Sequence, residues 1–404
     1  MAAAKKKSKK SSRLKKSSNS TLTIIALVVV IGFGAYYSMT GADVLGIFTA
    51  TETPAPIQGE SPVEPPPVTD ASSGWWEVYF ADPININDPN NWGNSIEARL
   101  IDKINAAQKS IHIASFEFDL DPVAEALIAA KDRGVDVRWV TDDEHGLEAD
   151  EEPGHGQFAM LEEAGIEVRS DTRSALMHNK FWIFDGEAVW TGSTNVTVNG
   201  IFKQNNNVLY IRSTRLASIY EAEFQEMWNG EFGPRSPSQL ADQSITVNGS
   251  PIQVVFTSED GALEQAIIPR VKAAQKSIRF MAFSFTDYPL AAAMIERAEA
   301  GVDVAGVFEK VGSSTDSAEL KTLYCAGVPA RRDGNPSFLH HKVVIVDERI
   351  VMTGSLNYST NAEESNDENV LIIDNPEIAA LYMQEFERVW ALASDPEPEK
   401  FPCE

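Results

Sequence analysis

One short pattern of residues occurs twice in this chain at matched spacing, and no other feature constrains the fold as strongly. His178-Asn179-Lys180 precedes Asp185 and Gly192-Ser193-Thr194-Asn195, and His340-His341-Lys342 precedes Asp347 and Gly354-Ser355-Leu356-Asn357. In each copy the Asp follows the His by seven positions and the Gly by fourteen, so both sets superpose under one shift of 162 residues. The likeness continues outside the motif. Ala106-Ala107-Gln108-Lys109-Ser110-Ile111 recurs as Ala273-Ala274-Gln275-Lys276-Ser277-Ile278, and Gly134-Val135-Asp136-Val137 as Gly301-Val302-Asp303-Val304, both at a shift of 167. Self-similarity of this extent marks a duplicated domain. The difference between the shifts places five surplus residues in the first copy, within the acidic stretch 142–161, where an insertion is expected to form a surface loop.

Each copy opens with a helical pattern, residues 101–108 or 266–275, followed by an apolar strand run, 111–118 or 278–285. A second helix is expected over 122–132 or 289–300, ended by a Gly, and then a strand over 135–141 or 302–308. Strand, crossover helix and strand in that order imply parallel pairing with the helices outside. The motif falls on a strand and hairpin, because residues 177–184 are rich in β-formers and Asp185-Gly186 is a turn signal. Side chains two apart on a strand share a face, so His178 and Lys180 project together, as do His340 and Lys342. The Gly-Ser-x-Asn that follows allows close backbone approach, and its Ser and Asn are expected to cap the next helical turn and present N–H groups to an anion.

These residues resemble the phospholipase D superfamily, whose signature is His-x-Lys-x4-Asp followed by Gly-Ser-x-Asn. The resemblance covers roughly residues 75–392. It implies two tandem α/β repeats, each a mixed sheet flanked by helices, packed with approximate twofold symmetry around one active site. The chemistry of the residues agrees with this. Cleaving a phosphodiester without a metal needs a nucleophile, an acid for the leaving oxygen, and cations for the phosphoryl oxygens. His178 and His340 supply the first two, through a phosphohistidine intermediate. Lys180 and Lys342 would neutralise the oxygens, with Ser193, Asn195, Ser355 and Asn357 as further donors. Asp185 and Asp347 belong to the signature but fall on the opposite strand face, so they are assigned to the turn and the lysine geometry. No cofactor and no metal is expected.

The copies differ downstream. Glu368, 28 residues after His340, occupies the place of an acid that in many family members orients the His, and the equivalent residue in the first copy is Asn206. Taken within each copy, this pairs Glu368 with His340 and Asn206 with His178. A carboxylate favours the protonated ring. His340 is therefore expected to be the general acid and His178 the nucleophile.

Other groups have blander readings. His112, His145, His155 and His341 have no matched partner and are taken as structural or solvent-facing. The run from Asp142 to His155 fits no known metal loop and reads as a solvated acidic segment. Phe116, Phe118, Phe283 and Phe285 are core residues by default, with an acyl-chain groove as the alternative. Only Cys325 and Cys403 are present, so no disulfide framework is expected; nothing requires a bond between them, and Cys325 reads as a small buried residue.

Ahead of the repeats, residues 1–20 hold eight Lys and Arg and no acid, and the stretch 21–48 begins with an uncharged apolar run, Thr21 to Ala42, long enough for a transmembrane signal anchor. Basic residues before such a span stay in the cytoplasm. The catalytic part, 74–240 and 241–398, is then expected outside the cytoplasm on a Pro-rich linker of residues 49–73, or secreted if the segment is a cleaved signal peptide. After the basic tail, 26 Lys and Arg face 59 Asp and Glu, a formal net charge of −33. That balance disfavours an extended nucleic-acid track. The expected function is phospholipase D-type hydrolysis of phospholipid head groups at a membrane. The alternatives are a metal-independent endonuclease and a phosphatidyltransferase resembling cardiolipin synthase.

Overall fold

A computed structural model describes residues 71–72, 74–235 and 243–403. The basic tail and the apolar span lie outside these residues, as does nearly all of the Pro-rich stretch. Among the described residues no helix is long and apolar enough to cross a membrane. Both motif copies lie within one compact unit, residues 65–404.

The first copy builds an eight-stranded sheet from β1 (Ala71–Ser72), β2 (Trp76–Phe80), β3 (Ser110–Ser115), β4 (Asp136–Thr141), β5 (Glu167–Ser170), β6 (Lys180–Phe184), β7 (Ala188–Gly192) and β8 (Asn207–Arg212), in the order β1-β2-β8-β7-β6-β3-β4-β5. The second uses β9 (Ser244–Val247), β10 (Ser250–Thr257), β11 (Ser277–Ala282), β12 (Asp303–Phe308), β13 (Ala330–Arg332), β14 (Lys342–Val346), β15 (Ile350–Gly354) and β16 (Glu368–Asp374). Its order, β9-β10-β16-β15-β14-β11-β12-β13, matches the first strand for strand. The expected parallel pairs form as β3 with β4 and β11 with β12, and the motif hairpins β6–β7 and β14–β15 are antiparallel. The first strand of each copy is shorter than its apolar run, because Phe118 and Phe285 have left the sheet and make only isolated bridges to Val196 and Tyr358.

The helices follow the expected plan: α1 (Ile96–Ala106), α2 (Asp121–Asp132), α3 (Gln157–Glu163), α4 (Val198–Phe202) and α5 (Thr214–Trp228) in the first copy, then α6 (Ile268–Ala273), α7 (Tyr288–Glu299), α8 (Leu320–Cys325), α9 (Thr360–Glu364) and α10 (Pro376–Leu392). Strand alternation divides the core into three. Phe181 and Ile183, with Val343 and Ile345, face a central cluster that also takes Tyr220 and Phe224 of α5 and Tyr382 and Phe386 of α10. Trp182 and Phe184 face an outer cluster with α1 and α2, and Val344 and Val346 face its counterpart in the second copy. The two sheets thus share one buried layer containing α5 and α10, which fixes each copy against the other.

Cys325 and Cys403 are joined, with Cα atoms 5.4 Å apart. Cys325 is exposed at the end of α8 rather than buried. The disulfide ties the C-terminal tail to the second copy, and sequence spacing of 78 residues carried no sign of it.

Candidate active site

Each motif strand enters the site clipped to the other copy. The backbone N–H of His178 donates to the carbonyl of Asp367 (2.9 Å), and that of His340 to the carbonyl of Asn205 (3.0 Å). Isolated parallel bridges Met177–Asp367 and Asn205–Leu339 lie beside these bonds. Each histidine therefore sits next to the residue that opens the last strand of the opposite copy. This register corrects the pairing inferred within each copy. His178 Nδ1 meets Glu368 Oε2 at 2.7 Å, and His340 Nδ1 meets Asn206 Oδ1 at 2.9 Å. Asn206 can be oriented unambiguously, because its Nδ2 donates to the Gly200 carbonyl at 2.7 Å. Its Oδ1 is then an acceptor, and His340 carries a proton on Nδ1.

The serines brace these partners instead of facing a phosphate. Ser193 donates its hydroxyl to Asn206 Oδ1 (2.8 Å) and accepts from the backbone of Asn207. Ser355 accepts from the Asn369 backbone and hydrogen-bonds the Glu368 carboxylate. Gly192 and Gly354 are required by the close approach of Asn207 and Asn369, whose carbonyl oxygens occupy the space a Cβ would need. The helical turns that follow are capped by Thr197 and Ser359, not by the motif Ser or Asn. Asn195 is also committed: its Nδ2 donates to Glu117 Oε2 at 2.8 Å. Asn357 Oδ1 is buried with no hydrogen-bond partner among the described residues.

Lys180 and Lys342 each donate to the carbonyl of their own motif His, at 2.8 and 2.9 Å, and lie over the rings of Phe116 and Phe283. Those two rings also rest on His178 and His340, with centroids 4.8 and 4.7 Å apart. Phe118 and Phe285 are core residues, so the four phenylalanines divide between core and site wall. Asp185 and Asp347 lie outside the cavity. Each accepts three backbone N–H groups at the start of the first strand, Gln108 to Ser110 and Gln275 to Ser277, at 2.6–3.1 Å. They hold the hairpin turn against the start of that strand.

The electrostatics follow from burying four basic side chains together. Burial, then Lys180 and Lys342, hold His178 well below the ordinary histidine value of 6.5, and burial with the same lysines and His178 does so for His340. Lys180 is lowered to about 8 by burial, against the pull of Glu368, Glu117 and Asp142, and Lys342 falls further through burial and Lys180. Burial raises Glu368 to about 7 despite the nearby lysines. A single proton on the short Nδ1–Oε2 contact would leave Nε2 of His178 with its lone pair, and burial and the lysines disfavour a second proton on the ring. The mutual influence of residues from both copies brings all four side chains into one cluster.

Several participants were not foreseen. Glu117, between the two phenylalanines, has Ser284 at the equivalent place, so repeat matching gave no signal for it. Burial pushes its carboxyl up, opposed by Lys180, His145 and the Asn195 bond. The surplus segment is only partly solvated: Asp142 is buried and accepts from the backbone of Met177, next to His178, while exposed His145 lies against Phe116. Asn207 and Asn369, matched at the shift of 162, clamp the copies beneath the site. Asn207 bonds His341 and accepts from Thr353 and Tyr382; Asn369 bonds Asn179 and accepts from Thr191 and Tyr220. His341 is structural and fully buried, with its other nitrogen on Glu385 at 2.8 Å. His112 bonds Glu221 at 2.9 Å, away from the cavity.

Comparison with known proteins agrees with this arrangement. The family described as "Cardiolipin synthase, PLD-like domain" matches residues 100–228 and 267–390, one stretch per copy. The chain belongs to the phospholipase D superfamily. Human mitochondrial cardiolipin hydrolase is 37% identical over 118 residues, which is 29% of this chain and 47% of that protein. The chain thus spans about half the length of that relative. A phospholipase D of Rickettsia bellii is 30% identical over 149 residues, 37% of this chain and 74% of that protein. The crystal structure of phosphatidylserine synthase from Haemophilus influenzae Rd KW20 covers 82% of this chain and 91% of its own, with a TM-score of 0.61 at 14% identity, a likeness of fold.

Proposed function

We propose that this superfamily member is a phospholipase D-type phosphodiesterase that hydrolyses phospholipid head groups at a membrane surface. The observation that carries the reading is the crossed pair of histidines, one backed by a carboxylate and one by an amide, with two lysines between them. His178 Nε2 attacks phosphorus, the bond from phosphorus to the departing alcohol breaks, and His340 gives that oxygen its Nε2 proton. Water then loses a proton to His340 as its oxygen attacks phosphorus, and the phosphorus–nitrogen bond breaks to free His178. The phosphorylated ring is cationic, and Glu368 on Nδ1 stabilises it. His340, backed by a neutral amide, is a stronger acid once protonated. That proton arrives with substrate, because a bound phosphodiester anion offsets the lysines that hold the ring neutral in the free enzyme.

Lys180 and Lys342 are assigned to the non-bridging oxygens, with Asn357 as an additional donor. Net acidity favours a lipid over a polynucleotide, which would need a basic track beyond the cavity. The exposed Cys325–Cys403 bond fits an oxidising compartment, in keeping with a catalytic part outside the cytoplasm. The reading is tested by assaying the full-length protein on phosphatidylcholine, cardiolipin, single-stranded DNA and RNA without added metal. Release of head group or phosphatidic acid supports it. Turnover of nucleic acid with none of lipid would replace it by the endonuclease reading, and phosphatidyl transfer to an added alcohol in preference to water would make the enzyme a transferase.

A further inference from the structure

Where the first motif-flanking strand of each copy leaves its sheet, the copies differ by a charge. Phe118 bridges Val196 and Phe285 bridges Tyr358, so each strand exit is pinned beside the motif Asn that precedes its bridge partner, Asn195 or Asn357. The residue before the bridging phenylalanine is Glu117 in one copy and Ser284 in the other, and both are half-buried. Glu117 Oε2 accepts from Asn195 Nδ2 at 2.8 Å, and its other oxygen takes no hydrogen bond among the described residues.

This carboxylate acts on both of the lysines assigned to the phosphoryl oxygens. Phe116, the preceding residue, has Lys180 Nζ 4.9 Å from its ring centroid and packs on His178. Glu117 favours the charged form of Lys180 and also that of Lys342, which belongs to the other copy. Burial opposes the carboxylate, while Lys180, His145, the Asn195 bond and His155 favour it, and Asp119 stands two residues further on. Glu368 acts on both lysines as well, but it is hydrogen-bonded to His178 and has a place in the chemistry. Glu117 touches neither histidine by a hydrogen bond. A carboxylate beside the lysines weakens their hold on any anion, and by Coulomb's law it does so twice as strongly for a dianion as for a monoanion.

Hydrolysis changes the charge of the bound phosphate in that sense. A diester carries one negative charge, whereas the monoester left after water attack has a second pKa of about 6 and approaches two at neutral pH. We propose that Glu117 sets the charge selectivity of the site, disfavouring a dianionic phosphomonoester relative to a monoanionic diester and so promoting release of the product. Ser284 supplies no such repulsion, so the first copy alone carries the selectivity. The proposal rests on phosphodiester hydrolysis at the paired motifs and is the same whichever alcohol is released.

Glu117→Gln removes the charge but keeps an amide oxygen to accept from Asn195, which separates selectivity from the structural bond. Titration calorimetry of the full-length protein at pH 8 with inorganic phosphate, a dianion there, and with diethyl phosphate, a monoanion, gives the ratio of their dissociation constants. In Glu117→Gln this ratio should move at least ~10-fold in favour of phosphate. Ser284→Glu, which places the matching carboxylate in the second copy, should move it at least ~10-fold the other way, and decides the question if the first variant does not fold. In turnover, inorganic phosphate should inhibit Glu117→Gln more strongly than wild type. A ratio unchanged in Glu117→Gln, or a shift toward the diester, would overturn the proposal and leave Glu117 as a tether for Asn195. The expected shift in a protein that hydrolyses nucleic acid and no lipid would uphold this proposal and overturn the phospholipid reading alone.

Discussion

At His178 the nitrogen turned away from the cavity meets a fully buried carboxylate, whereas at His340 the same atom meets an amide oxygen. Much around these two contacts is matched: the serine that braces the partner, the lysine over a phenylalanine, and the Asn clamp below. On this largely matched scaffold, a carboxylate behind one ring and an amide behind the other separate the two histidines. A ring backed by Glu368 is the better base and tolerates phosphorylation, and a ring backed by Asn206 releases its proton more readily. A duplicated site thus acquires distinct roles through the groups behind its catalytic atoms.

The largest expected effect comes from removing the rings. His178→Ala and His340→Ala should each lower kcat/KM by ~10⁴ or more, but only the second should still form a phosphoenzyme, and only with a substrate whose leaving group needs no proton. Rapid-quench detection of acid-labile, base-stable phosphate separates them. Exchanging the partners is the sharper perturbation. Glu368→Gln should cost roughly 10²–10³ in kcat, and the loss should appear in formation of the intermediate. Equal losses in both steps would mean that Glu368 does not distinguish the two rings.

Asn206→Asp should act in the opposite sense. An added carboxylate beside His340 stabilises its protonated form and raises its pKa, so the basic limb of the pH–rate profile should move upward by about one unit. The acid limb, set by His178, should lie below pH 6.5 in both proteins, because burial and two lysines hold that ring below the ordinary histidine value. The smallest effect is assigned to the signature Asp residues. Burial raises the Asp347 carboxyl, but three backbone N–H groups outweigh this and hold it below its ordinary 3.8. The stability it contributes is therefore complete above pH 3.8 and is lost as pH falls through the lower folded value. Asp347→Asn should cost about 1 kcal/mol at neutral pH, less in acid, and leave kcat within about threefold.

Much of the architecture was legible because it rests on local periodicity and on the repeat. Alternation along residues 177–184 separated His178 and Lys180 from Phe181, and the parallel order of β3 and β4 followed from strand, helix and strand. The partners of the histidines were not legible. Glu368 is 28 residues from His340 but bonds His178, 190 residues away, since contacts across a pair of repeats obey the packing of the two sheets and not sequence equivalence. Glu117 escaped notice because its counterpart is Ser284, and a search for matched residues passes over what only one copy holds. The acidic run concealed Asp142, whose role depends on the Met177 backbone reaching it from 35 positions away. Two cysteines 78 residues apart had no geometry to recommend them until the C-terminal tail was placed against α8.

The central claim is that the crossed carboxylate makes His178 the nucleophile. Trapping the phosphoenzyme of the full-length protein at early times and mapping the modified histidine by peptide mass spectrometry tests it most directly. Phosphate on His178 in the wild type, retained in His340→Ala with an activated substrate, is the predicted result. Phosphate on His340, with His178→Ala still able to form it, would contradict the assignment and make Glu368 the partner of the general acid.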